Sequence, residues 1–176
     1  GVNIAKALRV SLRNHYRLRG FIADEPELIN KVMMGVKVFP NDDTLIENLD
    51  DRDVHTIIIS PAKKMNVDTD SFDCRDLPLF LACTQRLLSS LLTMSLDQLR
   101  VLWKCSEPLA RQNYERLHRI NLYANLTPAI LAYEGIQYQY MAPGVFTYGE
   151  LEYIQEHLRI LSGFYGLLRP FDGVAP

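Results

Sequence analysis

Asp53-Val54-His55-Thr56-Ile57-Ile58-Ile59-Ser60-Pro61-Ala62-Lys63-Lys64 is the stretch on which the reading of the fold turns. Val54 to Ile59 is a β-branched run without polar alternation, which predicts a strand buried on both faces and favours parallel α/β packing. Ser60-Pro61 ends the run, because proline has no backbone N–H to give a ladder. Lys63 and Lys64 then stand just past the strand's carboxyl end, where open α/β sheets place ligands. A lysine there is a point charge suited to phosphate. Two solvated surface lysines give the same pattern, and position alone leaves both readings open.

Upstream, residues 1–60 alternate helix and strand. Ile4, Ala5, Leu8 and Leu12 share one helical face over Val2–Leu12. Arg17–Ile22 reads as a strand closed by Asp24-Glu25-Pro26. Val36–Phe39 is a short strand stopped by Pro40, and Thr44–Leu49 a short helix. Downstream, polar residues run to Arg75 and helices then dominate. One is predicted from a cap at Asp76 to about Leu92, with Pro78 in its first turn. Ser95-Leu96-Asp97-Gln98 is a capping box opening a helix through Trp103. Ser106-Glu107-Pro108 opens another to about Arg119. Thr147-Tyr148-Gly149-Glu150 is a second capping box, after which Leu151, Ile154, Leu158 and Leu161 form one apolar stripe. Tyr133–Tyr140 reads as a half-buried strand or turn with an aromatic ladder.

The chain has 176 residues, 48% hydrophobic and 23% charged, an ordinary composition for a folded protein. Its 19 basic and 21 acidic residues give a net charge of −2. That excludes an all-round cationic coat but not a local basic cleft. No run approaches the ~18 apolar residues of a membrane span, and the first residues do not read as a secretion signal. Three cysteines without C-x-x-C spacing fit a reducing cytoplasm. Both ends read as cuts through a longer domain: Gly1-Val2 enters a helix directly, and Pro170–Pro176 stops in a turn.

Several chemistries find no support. Ser162-Gly163 is not a G-x-S-x-G elbow. The histidines (His15, His55, His118, His157) show no metal-ligand spacing. Neither a P-loop nor a G-x-G-x-x-G is present. Cys105, between Lys104 and Ser106 near a helix start, is either an activated thiol or a small packed residue. Basic residues do cluster, however. Residues 57–119 hold Lys63, Lys64, Arg75, Arg86, Arg100, Lys104, Arg111, Arg116 and Arg119. Lys104, Arg111 and Arg119 recur near helical spacing, with Trp103, Asn113 and Tyr114 among them. Such a face can hold a phosphate backbone without reading sequence, or be a salt-bridged solvated face. Arg159 and Arg169 lie in an apolar run, where a cation needs an anion. They either floor an anion-binding cleft or pair internally with Asp172 or Glu156.

Residues from about 57 to 176 closely resemble the YaaA family of bacterial peroxide-stress proteins. The resemblance is carried by Ile57-Ile58-Ile59-Ser60-Pro61-Ala62-Lys63 and by Ser106 with Leu109-Ala110, Asn113 and Arg116. Ala129–Gly135 and the run Leu158–Asp172 complete it. It covers the N-terminal part of the family's domain. It implies a cytoplasmic protein of mixed α/β fold with a basic cleft, duplex DNA as partner, and a helix-hairpin-helix-like element over about residues 77–104. It also implies a part in limiting free iron and oxidative DNA damage, with no established reaction and no cofactor. Carried over by position, Lys63, Asn113, Arg116, Arg159 and Arg169 line the cleft. Lys64 and Lys104 join them as DNA-binding candidates.

Residues 1–56 resemble part of the nucleotide-binding-like N-terminal domain of polysaccharide-biosynthesis proteins, the nucleoside-diphosphate-sugar epimerase/dehydratase type. The matching residues are Gly1–Leu8, Arg19–Asp24, Gly35–Val38 and Asp53–Ile59. The expectation is therefore an incomplete Rossmann-like βαβ segment (1–56) joined at Ile57–Ser60 to a truncated, helix-rich α/β domain (57–176). The alternative function is a nucleotide or nucleotide-sugar binding module.

Overall fold

Short apolar runs between turn clusters yield strands of two to five residues in the computed structural model, which describes residues 19–23, 26–33, 35–40, 55–62 and 64–176. The chain divides into two compact units, residues 1–57 and 58–176.

In the first unit, β1 (Phe21–Ala23), β2 (Val32–Met33) and β3 (Val36–Pro40) form a sheet of order β1-β3-β2. β3 is central, parallel to β1 (Ile22 opposite Phe39) and antiparallel to β2 (Val32 opposite Lys37). Its Val38 and Phe39 are the buried side chains, and the Lys37 ammonium lies 5.4 Å from the Phe39 ring centre. The connection from β1 to β3 runs through a turn at Pro26–Asn30 and β2. The helices expected over Val2–Leu12 and Thr44–Leu49, on which the Rossmann-like reading rests, lie outside the described residues.

The second unit is mixed α/β. β4 (Ile57–Ile59), at the boundary between the units, is an edge strand in the order β4-β8-β9, where β8 is Leu158–Ser162 and β9 is Gly166–Leu168. All three isoleucines are half-buried, short of the full cover on both faces that the run predicts, and among the described residues β4 is the edge of its sheet. β1 and β3 of the first unit pair parallel, whereas the strand pairs whose direction is described in this unit run antiparallel. β8 and β9 pair antiparallel (Ile160 opposite Leu168). So do β5 (Lys64–Met65) with β7 (Tyr133–Glu134), and β6 (Thr127–Pro128) with β10 (Gly173–Val174).

Three helices fill the middle of this unit: α1 (Leu81–Leu92), α2 (Leu96–Trp103) and α3 (Glu107–Arg119). Asp76 does not cap α1. The residue before α1 is Phe80, with no side-chain cap. Asp76 instead bridges to Asp172, its carbonyl accepting from Gly173 N at 2.9 Å. The Ser95 capping box forms in full: Ser95 N donates to Gln98 Oε1 at 2.9 Å and Gln98 N to Ser95 Oγ at 3.3 Å. The closest helix packing is α2 on α3, with α1 also on α3. The residues these helices bury are Thr84 on α1, Leu99 on α2 and the small Ala110 on α3, each 0% exposed.

The remaining helices are short: α4 (Ala129–Ala132), α5 (Ile136–Met141) and α6 (Tyr148–His157). α6 carries the second capping box, Thr147 with Glu150. The stripe Leu151–Leu161 does not continue as helix. From Leu158 the burial alternates, with Leu158, Ile160 and Ser162 buried, so a period of two replaces the helical one. The aromatic ladder is also not a strand. Past β7 the chain turns at Gly135 into α5, burying Tyr133 (5%) and Tyr138 (4%) and leaving Tyr140 87% exposed. The core gathers around the chain's last residues. Pro170, Phe171, Asp172, Gly173 and Val174 are all buried. Their carbonyls take Arg75 N, Ala129 N and Ile130 N at 2.9 Å each.

Candidate nucleic-acid interface

The cations expected to act together fall into two sets, one beside the strands and one on α2 and α3. In the first set, Lys64 sits opposite Glu134 in the β5–β7 register, and its Nζ lies 2.7 Å from Glu134 Oε2. That lysine holds the Glu134 carboxyl below the usual carboxylate range. The Lys64 side chain is still 71% exposed, so the pair is a solvent-screened one. Arg169 donates its backbone N–H to Asp172 Oδ2 at 2.8 Å, and its guanidinium is 3.6 Å from Asp76. Arg159 turns back on its own chain, donating from Nη1 to the carbonyls of Gln155 (3.0 Å) and Leu158 (2.6 Å). Arg169 thus faces Asp76 with both side chains more than half exposed, while Arg159 is drawn to backbone carbonyls. Lys63 lies outside the described residues. The loop on its amino-terminal side is held firmly: Ser60 O accepts from Tyr138 Oη at 2.8 Å and from Gln137 Nε2.

The second set lies on α2, α3 and the turn between them. Lys104 closes α2 in the left-handed conformation (φ 51°), its N–H donating to Val101 O. This conformation turns the chain sharply enough for Ser106 to start α3 two residues on. Lys104 and Arg116 are exposed, whereas Asn113 is half-buried on α3. Arg111 is tied to Glu107 one turn earlier, at 2.7 Å. Arg100, Lys104, Arg116 and Arg119 make no ion pair among the described residues. Tyr114 and His118 stack with ring centres 4.2 Å apart on the same helix. The interhelical turn expected to matter, within residues 77–104, is thus not the one best packed here. α2 and α3, joined through Lys104-Cys105-Ser106, are the better-packed pair, with the small Ala110 fully buried on α3. Arg119 belongs to the face that the sequence spacing draws through Lys104 and Arg111, whereas Arg100 is counted there only among the basic residues of 57–119. Spacing on α2 was the available signal for Arg100.

All three cysteines are free thiols, and burial pushes Cys74 up. Burial pushes the Tyr165 phenol up to about 12 and raises Tyr138 as well, so neither serves as a base near neutral pH. Among the described residues no three His, Cys, Asp or Glu side chains group as metal ligands, and no helix is long and apolar enough to cross a membrane.

Asp172 is the buried acid behind this region, 3% exposed, and its burial raises its pKa despite the Arg169 N–H. A carboxyl raised in the folded state favours folding when protonated. Its stabilising share is full below the unfolded value near ~3.9 and is lost as pH rises through the folded value. In chemical denaturation from pH 7 to pH 4, Asp172→Asn should therefore lose ground to the parent steadily as pH falls. A pH-independent difference between the two would show that Asp172 does not titrate in this way.

Residues 56–176 match the family model described as peroxide stress protein YaaA. A UPF0246 protein of Pediococcus pentosaceus is 61% identical over 120 residues, 68% of this chain and 48% of that protein. UPF0246 proteins of Lactiplantibacillus plantarum and Agathobacter rectalis are 57% and 52% identical over the same shares. The chain spans about half the length of the curated relatives it matches. The family match leaves residues 1–55 outside it. No comparison supports the polysaccharide-biosynthesis resemblance.

Proposed function

The chain belongs to the YaaA family of peroxide stress proteins, and on that premise we propose that it acts in the cytoplasm by holding duplex DNA through its phosphate backbone. The observation that carries the reading is the set of exposed cations on α2 and α3 that make no ion pair among the described residues: Arg100, Lys104, Arg116 and Arg119. Lysine and arginine heads of this kind displace condensed counterions from DNA and give affinity that does not depend on sequence. Lys63 and the exposed Lys64 head supply further charge after β4. Arg169, exposed beside Asp76, and Arg159, drawn to backbone carbonyls, stand second to the α2–α3 cations in this reading. Asn113, half-buried on α3, stands between these cations in the sequence. No covalent step is required of the chain. Its role in limiting iron-dependent damage follows from occupying the backbone near which iron and peroxide generate radicals.

Fluorescence anisotropy with a labelled duplex, repeated from 50 to 200 mM salt, tests this. With about four phosphate contacts, log affinity should fall with log salt at a slope of about −3 to −4. A shuffled duplex should bind equally well. Lys104→Glu combined with Arg116→Glu should weaken binding at least tenfold and reduce the slope by about 2. Binding that ignores salt, or that survives this double change intact, removes the assignment. A plasmid-nicking assay with ferrous iron and peroxide should show protection by the parent chain and less by the double variant.

A further inference from the structure

Where the chain turns from β7 into α5 it borders a recess of ≈ 140 Å³. Tyr133, Tyr138 and Pro143 give the recess apolar walls, and Asn66, Glu134 and Gln139 give it polar edges. The two tyrosine rings lie 5.8 Å apart, and Tyr138 is fixed by donating its Oη to Ser60 O at 2.8 Å. Asn66 is held just past β5, its N–H donating to Ala132 O at 2.8 Å. Ala142, between α5 and Pro143, takes the left-handed conformation (φ 45°), which an L side chain seldom adopts. Strain of this kind gathers at ligand sites.

Charge narrows what the recess can take. Lys64 meets Glu134 from β5 at 2.7 Å. The paired carboxylate therefore attracts no second cation and offers an anion nothing, but its lone pairs still call for donors. Glu134 Oε2 is buried and accepts no hydrogen bond among the described residues, the Lys64 ammonium beside it being out of line. A buried acceptor in that state calls for a donor. A neutral, flat group with adjacent N–H donors fits. The volume is well below the about 300–1,000 Å³ of pockets for drug-sized ligands, which leaves room for one ring system. We propose that this recess binds a nucleobase, guanine by preference, with the Glu134 carboxylate accepting from N1–H and the exocyclic amine. Guanine alone among the common bases carries those two donors side by side. Proteins that take up an extruded base read it in this manner, by hydrogen bonds to its Watson–Crick edge between aromatic or apolar walls. The base can come from a nucleic-acid strand or from a free nucleoside; only the first source rests on the DNA reading above.

Titration of the isotope-labelled chain with guanosine, followed through its amide NMR signals, tests this. Guanosine should bind with a dissociation constant of about 1 mM, the weak range open to so small a ligand, and move the amides of Asn66, Glu134 and Gln139. Inosine, which lacks the exocyclic amine, and N1-methylguanosine should each bind at least fivefold more weakly, and adenosine and thymidine at least tenfold. Glu134→Gln exchanges one acceptor oxygen for a donor. It should lower guanosine affinity at least tenfold and leave the circular dichroism unchanged, because the ion pair it removes is solvent-screened. The nucleoside series needs no variant and stays decisive if Glu134→Gln misfolds. No saturable shift at these amides up to about 10 mM guanosine, equal binding of all the nucleosides, or undiminished binding by Glu134→Gln each overturns the proposal. A second arm compares a duplex carrying one unpaired guanosine with the fully paired duplex. At least fivefold tighter binding, abolished by Glu134→Gln, makes a strand the source of the base. Equal affinity for the two duplexes, with guanosine still bound, makes the free nucleoside the source. Failure to bind either duplex while guanosine still binds would remove the DNA reading and leave this pocket in place.

Discussion

Phe171→Ala is expected to destabilise the second unit by about 3–5 kcal/mol, the range for removing a fully packed aromatic side chain. The ring is 1% exposed. Phe72 meets it edge-on at 5.9 Å, and the Arg75 guanidinium lies 4.5 Å from its centre. That guanidinium is fixed in turn by Glu152 at 2.7 Å. Truncation leaves a cavity and removes the ring face from the cation, a loss of about 0.5–2 kcal/mol in itself. The backbone around the ring cannot collapse to fill the space. Phe171 N donates to Gln155 Oε1 at 3.0 Å, and Phe171 O accepts from Arg75 N at 2.9 Å. Urea denaturation followed by far-UV circular dichroism should show the transition of residues 58–176 at much lower denaturant, with its slope preserved. Arg75→Ala should cost less than half as much. Equal losses from the two would mean that the ion pair, rather than the ring, organises this corner.

The second large effect is expected at Gly166, where alanine should cost about 2–4 kcal/mol. Two independent penalties act there. The residue has φ +75°, a conformation that costs an L side chain about 1–2 kcal/mol. A methyl group built on it also meets Phe80 Cδ2 at 2.9 Å, with Phe80 Cβ and Cγ at 3.3 Å, and overpacking of that kind costs about 1–3 kcal/mol. Phe80 is 44% exposed, so its ring can yield partly and the sum stays below the extreme. Gly166 opens β9 opposite Ser162, and the turn before it is pinned by Thr84 Oγ1 donating to Phe164 O at 3.0 Å. The loss should therefore reach α1 as well as the hairpin. Gly163, in the same turn, has nothing within 4 Å of a built Cβ, and Gly163→Ala should stay within about 0.5 kcal/mol. Thermal unfolding of both variants separates the two cases, and a neutral Gly166→Ala would show that the turn can adopt another conformation.

What the chain's residues reveal without coordinates is the local grammar. Ser95 with Gln98 and Thr147 with Glu150 announce their helices, because a capping box satisfies its own orphan donors within four residues. The family, too, is legible from Ile57–Lys63 and Ala129–Gly135. Local pattern misleads where partners come from far along the chain. Asp76 looks like a helix cap, but the C-terminal turn recruits it through Gly173 and Arg169. Leu158 and Leu161 extend a helical stripe on paper, but antiparallel pairing with Gly166–Leu168 imposes a period of two.

The candidate interface divides in the same way. Sequence by itself determined the cations, their density on α2 and α3, and the lysines that follow β4. Only the tertiary structure decided which of them hold a counter-charge. Lys64 meets Glu134 across a register set some seventy residues away, Arg169 meets Asp76, and Arg159 folds onto backbone carbonyls. An ion pair's worth depends on distance and solvent exposure, and neither is written in composition or spacing.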